Sequence, residues 1–139
     1  MDASEHFKTD FSNQPETPGR FLRIEDIEPV QYVEGLSFQP VLGEQTLANF
    51  VSYEPHTEAP LHAHVEEQVV VILEGELEFH IGDEVRIMRP GDVAVIPPWV
   101  PHSARTHAGT CRQIDFFTPP RNNLVDYAGE VRDRLTGQV

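Results

Sequence analysis

The sequence predicts an all-β sandwich or barrel closed by one short C-terminal helix. Three observations carry that expectation. From Phe21 onward, short apolar or alternating runs recur every 8 to 12 positions between turn residues, a spacing typical of small sheet proteins. In Glu76–Ile81 the apolar residues alternate, so Leu77, Phe79 and Ile81 share an inner face. Helical periodicity is confined to the end, where Leu124, Tyr127, Val131 and Leu135 recur at intervals of three and four.

Taken in order, residues 1–19 mix Ser, Asn, Gln, Pro and charges and close in Thr17-Pro18-Gly19. They read as an N-terminal tail, flexible unless it docks on a partner. The barrel is expected over residues 20–121. Its strands are expected at Phe21–Ile24, Val30–Val33, Leu36–Val41, Thr46–Tyr53, Gln68–Leu73, Leu77–Ile81, Glu84–Met88, Val93–Ile96, His102–Thr106 and Cys111–Phe117. Gly82-Asp83 and Arg89-Pro90-Gly91-Asp92 are turn sequences that join the central strands into a meander. Residues 122–139 form a C-terminal extension whose helical stretch is Asn123–Leu135.

Composition narrows the function. A chain of 139 residues suits one domain with a single core. Its longest apolar run, Val69–Leu73, is strand-sized and far short of the roughly 20 residues a membrane span needs. The N-terminus has no apolar stretch, so no secretory signal is expected. The single cysteine, Cys111, excludes an internal disulfide and fits a reducing cytoplasm. It reads as a small buried apolar residue. A formal charge of −13 argues against nucleic acid or anionic lipid as a partner. An anionic ligand would be repelled by the same field, so its pocket must be locally basic through particular arginines.

The seven histidines are not equivalent. His62 and His64 stand two apart, which on an extended strand puts both imidazoles on one face. Gln68 follows four residues later, and Gly75 ends the next strand. His102 comes after Val93–Ile96 and a turn stiffened by Pro97, Pro98 and Pro101. Three imidazoles and a carboxamide oxygen make a neutral N/O set that suits Mn, Fe, Co, Ni, Cu or Zn. His80 falls on the outward phase of its strand, His6 in the tail, and His107 in a loop at the rim at best. His56 sits in a turn where a positive φ is tolerated.

These two modules resemble the paired motifs of the cupin superfamily. The first family motif is Gly, five residues, His-x-His, three or four residues, Glu, six residues, Gly. The second is Gly, five residues, Pro-x-Gly, two residues, His, three residues, Asn. His62, His64 and Gly75 fit the first, and Gly91, Pro97 and His102 fit the second. His56, Trp99 and Thr106 stand where the family has Gly, Gly and Asn, and Gln68 stands where it has a metal-binding Glu. The resemblance implies an RmlC-like jelly-roll barrel, a double-stranded β-helix. It also implies one divalent metal ion held by His62, His64, His102 and Gln68.

One subgroup, the KdgF-like cupins acting on unsaturated uronates, is similar in further stretches. They are Glu67-Gln68, Leu73-Glu74-Gly75-Glu76 and Asp115-Phe116-Phe117-Thr118-Pro119-Pro120-Arg121. The resemblance implies active-site roles for Asp115, Phe117 and Arg121. A register argument points the same way for the first of these. If residues 107–110 form a hairpin loop, Thr106 pairs with Cys111 and His102 faces Asp115. Read from the residues alone, Asp115 could instead orient His102, Phe117 could be plain core, and Arg121 could be a solvated strand end.

The expected activity is conversion of a cyclic 4,5-unsaturated uronate to its linear keto form. Asp115 would move the proton, Arg121 bind the carboxylate and Phe117 pack the ring. The alternatives are a cupin dioxygenase or lyase acting on a small carbonyl compound, or a non-catalytic binding module. A homodimer is expected, because a long β-edge needs cover.

Overall fold

The computed structural model describes residues 2–7 and 9–136, with side chains described as far as residue 129. Among these residues the chain forms ten strands and a C-terminal helix. The strands are β1 (Val30–Val33), β2 (Leu36–Leu42), β3 (Leu47–Tyr53), β4 (Glu58–His62), β5 (Glu67–Gly75), β6 (Leu77–Ile81), β7 (Glu84–Met88), β8 (Val93–Ile96), β9 (His102–Arg105) and β10 (Cys111–Thr118). The helix is α1 (Asn122–Thr136). A six-stranded sheet has the order β1-β2-β3-β10-β5-β8, and a four-stranded sheet the order β4-β9-β6-β7. All pairings are antiparallel.

Period-two burial builds the core between the two sheets. Along β3, Leu47, Asn49, Val51 and Tyr53 are buried while the residues between them are half-exposed. Val70 and Ile72 from β5 and Leu77 and Phe79 from β6 belong to one core cluster. Burying each such side chain contributes roughly 1.5–3 kcal/mol. Gly75 ends β5 with φ +78, and a Cβ there would collide with the Thr110 carbonyl oxygen. Only glycine serves at that crossing. Helix α1 seals one end of the sandwich. Leu124 and Ala128 enter the core, and the Tyr127 hydroxyl donates to the Gln31 carbonyl at 3.1 Å. The Val131 and Leu135 side chains of the expected helical stripe lie outside the described residues.

Three expectations need correction. Phe21–Ile24 is not a strand. Phe21 is fully exposed, and Ile24 opens a short 3-10 turn whose carbonyl oxygen accepts from Gln39. Glu58–His62 does form a strand, although Glu-Ala-Pro-Leu-His lacks β-branched residues. It is an edge strand with an irregular register beside Pro60, where a missing N–H does little harm. Finally, β9 and β10 do not form a hairpin: β9 pairs β4 and β6, while β10 pairs β3 and β5. The loop at residues 107–110 crosses from one sheet to the other. His102 and Asp115 therefore face each other's sheets rather than sit side by side, and both still point inward.

Candidate metal centre

Two sheet contacts and one turn bring three imidazoles together. His62 on β4 lies opposite His102 on β9, and His102 also lies opposite Ile81 on β6. His64 follows β4 and is tethered by the Trp99 N–H, which donates to its carbonyl oxygen at 2.8 Å. Trp99 reaches that position with φ 67, and His56 turns with φ 54. Both stand where the family motif has glycine, and both adopt the left-handed backbone glycine would take. Thr106, in place of the motif asparagine, binds back through its hydroxyl. It donates to the Glu54 carbonyl at 2.6 Å and accepts from the Thr57 N–H at 3.0 Å.

The ring centroids of His62 and His102 are 4.2 Å apart, and those of His64 and His102 are 4.9 Å apart. One nitrogen from each of the three rings lies within 4.8 Å of the others. Every Nδ1 is occupied by a backbone carbonyl two residues away. The partners are Pro60 for His62 at 2.6 Å, Glu66 for His64 at 2.9 Å and Val100 for His102 at 2.9 Å. Each Nδ1–H donates, so each Nε2 carries a lone pair. Burial lowers the pKa of His102 to about 4 and also lowers that of His62. These rings stay neutral where an ordinary histidine would titrate.

The lone pairs have no protons to meet. His102 Nε2 is buried with no hydrogen-bond partner among the described residues. His64 Nε2 faces Gln68 Oε1 at 3.1 Å. Gln68 is oriented from behind, because its side chain hydrogen-bonds Asp115 and the carboxylate can only accept from its amide N–H. Two acceptors in contact at a buried site fit a cation held between them. The donor set of three imidazoles and a carboxamide oxygen is consistent with a single divalent metal ion.

Asp115 lies on β10 between Asn49 on β3 and Val70 on β5. Its Oδ1 accepts from Gln113 Nε2 at 2.8 Å. Burial raises its pKa to about 7, outweighing the Gln68 and Gln113 hydrogen bonds and the charge of Arg121. The alternative in which Asp115 orients His102 is not what is observed, since His102 Nδ1 is held by Val100. Phe117 is buried with its ring centroid 5.6 Å from that of His64, and the Arg121 guanidinium lies 5.8 Å over the Phe117 ring. Arg121 Nε is 3.8 Å from Glu66 Oε1 and has no hydrogen-bond partner among the described residues. At that separation Arg121 and Glu66 form only a loose ion pair.

A cavity of about 80 Å³ runs from His62, Gln68, His102, Asp115, Phe117 and Arg121 into the sandwich. It adjoins an outer depression of about 290 Å³ that shares Tyr32, His62 and Arg121. A larger hollow near β7 and β8, about 420 Å³, carries none of the clustered histidines. His80 and His107 lie on the outer face instead, both bonded to Glu78, which also holds Arg105. His107 is thus not at the cavity rim. Cys111 is buried in the core, and burial pushes its thiol up to about 11.

Residues 49–116 match the model of the cupin domain family. The chain carries a cupin domain. Among solved structures, an RmlC-like cupin from Shewanella frigidimarina is 26% identical with a TM-score of 0.72, over 77% of this chain and 96% of that one. KdgF from Halomonas sp. is 23% identical with a TM-score of 0.73, over 77% of this chain and 99% of that one. Among curated proteins, H2HPP isomerase of Bacillus subtilis is 44% identical over 52 residues, 37% of this chain. The match spans only 22% of that protein's length.

Sequence reading missed two residues that this cupin domain places in its cavity, Asn49 and Gln113. Their signal was a polar side chain on the inward phase of a strand. Asn49 interrupts Leu47 and Val51, and Gln113 follows Cys111 by two.

Proposed function

We propose that this protein is a metal-dependent isomerase that opens a cyclic 4,5-unsaturated uronate to its linear keto form. The carrying observation is the joining of three kinds of group around one cavity. They are three clustered imidazoles with Gln68 beside them (His62, His64 and His102), a buried carboxyl raised to about 7 (Asp115), and a cation (Arg121). The fold likeness to KdgF and the local likeness to an isomerase support the choice of reaction class.

In this reaction the anomeric hydroxyl loses its proton as the bond from that carbon to the ring oxygen breaks. The enolate so formed at C5 takes up a proton at C4 and becomes the ketone. The bound ion would supply Lewis-acid polarisation of substrate oxygens. Arg121 binds the uronate carboxylate and supplies the local positive charge that the acidic chain otherwise lacks. Phe117 packs the ring face. Asp115 carries the proton, held by Gln68 and Gln113 so that its free lone pairs face the cavity. A pKa near 7 lets one carboxyl serve as both acceptor and donor.

The test is direct. Metal-loaded protein mixed with a Δ4,5-uronate should bleach the conjugated double bond in the ultraviolet faster than the spontaneous rate. Equal rates would contradict the proposal. The dioxygenase alternative predicts oxygen uptake by an Fe(II)-loaded sample instead.

The expected homodimer is also a proposal, and the outer face of the six-stranded sheet supports it. Phe50, Ile114, Val71 and Val93 form one row across four strands, and Ala48, Phe116, Val69 and Val95 form the next. Val93 and Val95 are more than half exposed. On a chain of charge −13 this face carries no charge in those rows, so a second acidic copy meets least repulsion there. Light scattering should give a dimer for the wild type and a monomer for Val95→Lys. A monomeric wild type would contradict it.

A further inference from the structure

The inner end of the cavity holds two carboxamide oxygens that no step above uses. Asn49 and Gln113 are 3% and 2% exposed, and both line the cavity beyond Asp115. Asn49 Oδ1 and Gln113 Oε1 are buried with no hydrogen-bond partner among the described residues. Gln113 cannot turn away, because its Nε2 is committed to Asp115. The strand register sets Asn49 opposite Asp115 and Gln113 opposite Val51, so the two carboxamides are diagonal neighbours on one inward face. Phe38, Val51 and Leu124 supply apolar wall around them, and the buried Tyr53 lines the same cavity.

We infer that Asn49 and Gln113 form a hydroxyl-reading subsite, which selects a small polyhydroxylated acid over an apolar carbonyl compound of the same size. The inference rests on the proposed sugar-acid reading and deepens it. A hydroxyl group donates to one carboxamide oxygen and supplies the donor that no described residue provides. An alkyl or aromatic ligand would fit the apolar wall and leave both acceptors orphaned. Sites built to bind a hydroxyl reject analogues lacking it for this reason. With Arg121 at the outer end and the two carboxamides at the inner end, the cavity reads a ligand by a carboxylate and by hydroxyls. Asp115 lies between.

Two non-reacting probes separate this from the function itself: galacturonate and cyclohexanecarboxylate, titrated calorimetrically into metal-loaded protein. Galacturonate should bind at least about tenfold tighter. Asn49→Leu and Gln113→Leu should each weaken galacturonate by roughly 5- to 100-fold and leave cyclohexanecarboxylate unchanged. Asn49→Ser, which keeps a polar partner, should recover part of the loss, and unchanged melting temperatures would exclude a folding defect. Equal binding of both acids by the wild type, or equal losses for both probes in the variants, would overturn the subsite. So would a galacturonate complex whose crystal structure leaves only water on the two oxygens. Hydroxyl-dependent binding without turnover of a Δ4,5-uronate would uphold the subsite and reject the isomerase reading.

Discussion

His64 Nε2 and Gln68 Oε1 lie 3.1 Å apart, and neither has a proton to offer the other. The imidazole has committed its N–H to the Glu66 carbonyl, and the carboxamide has committed its N–H to Asp115. A divalent ion held by both groups would relieve the contact. Removing Gln68 should therefore weaken the metal without abolishing it. Gln68→Ala should raise the metal dissociation constant by about tenfold or more, measured by competition with a chelator. Gln68→Glu should bind metal more tightly. It would also set a second carboxylate against Asp115, raise that group's pKa further and lower activity near neutral pH.

Asp115 should be separable from metal binding. Asp115→Asn keeps the shape, so metal content should stay at the wild-type level while turnover falls by roughly 10²- to 10⁴-fold. The same variant isolates a stability effect. The folded pKa of about 7 stands above the ordinary 3.8. Between those values the unfolded chain releases the proton while the folded chain retains it. The folded state binds more protons there, so this group's contribution to stability falls as pH rises from about 4 to 7 and then levels off. Metal-free wild type should lose stability relative to Asp115→Asn across that window in denaturant titrations. A constant difference between the two would contradict the assignment.

Arg121 and Phe117 should divide differently in kinetics. Arg121→Ala should raise KM for a uronate by more than tenfold while leaving metal content unchanged. Arg121→Lys should recover only part of that loss, because an ammonium cannot form the paired hydrogen bonds of a guanidinium. Equal KM values across the three proteins would remove Arg121 from the carboxylate site.

Much of this was legible in the sequence, for physical reasons that also explain the failures. Strands β6 and β7 were readable to the residue, because Leu77, Phe79 and Ile81 alternate and Gly82-Asp83 makes the turn. The phase of Asp115 survived a wrong strand pairing. Alternation depends only on residue parity along β10, whereas pairing depends on where the 107–110 loop travels. Strand β4 was obscured by Pro60 and Glu58, since an edge strand is held by one neighbour and needs little β propensity. Asn49 and Gln113 were passed over because one polar residue inside an alternating run looks like noise until the cavity gives it a place.

The backbone around the site stores strain that should be releasable. Trp99 holds φ 67 with its side chain 65% exposed. A bulky residue in the left-handed region costs on the order of 1 kcal/mol or more. Trp99→Gly should therefore raise the melting temperature by a few degrees, provided the N–H to the His64 carbonyl is kept. A crystal structure of the variant would verify that bond. A lower melting temperature would mean that the exposed indole packs more tightly than its accessibility indicates.

The central claim is that His62, His64 and His102 hold one metal ion. Elemental analysis of the purified protein after metal saturation and gel filtration tests it most directly, with His62→Ala and His102→Ala alongside. The account predicts about one transition-metal ion per wild-type chain and a near-complete loss in each variant, with both variants folded by circular dichroism. A wild-type chain without stoichiometric metal, or variants that retain it, would contradict it.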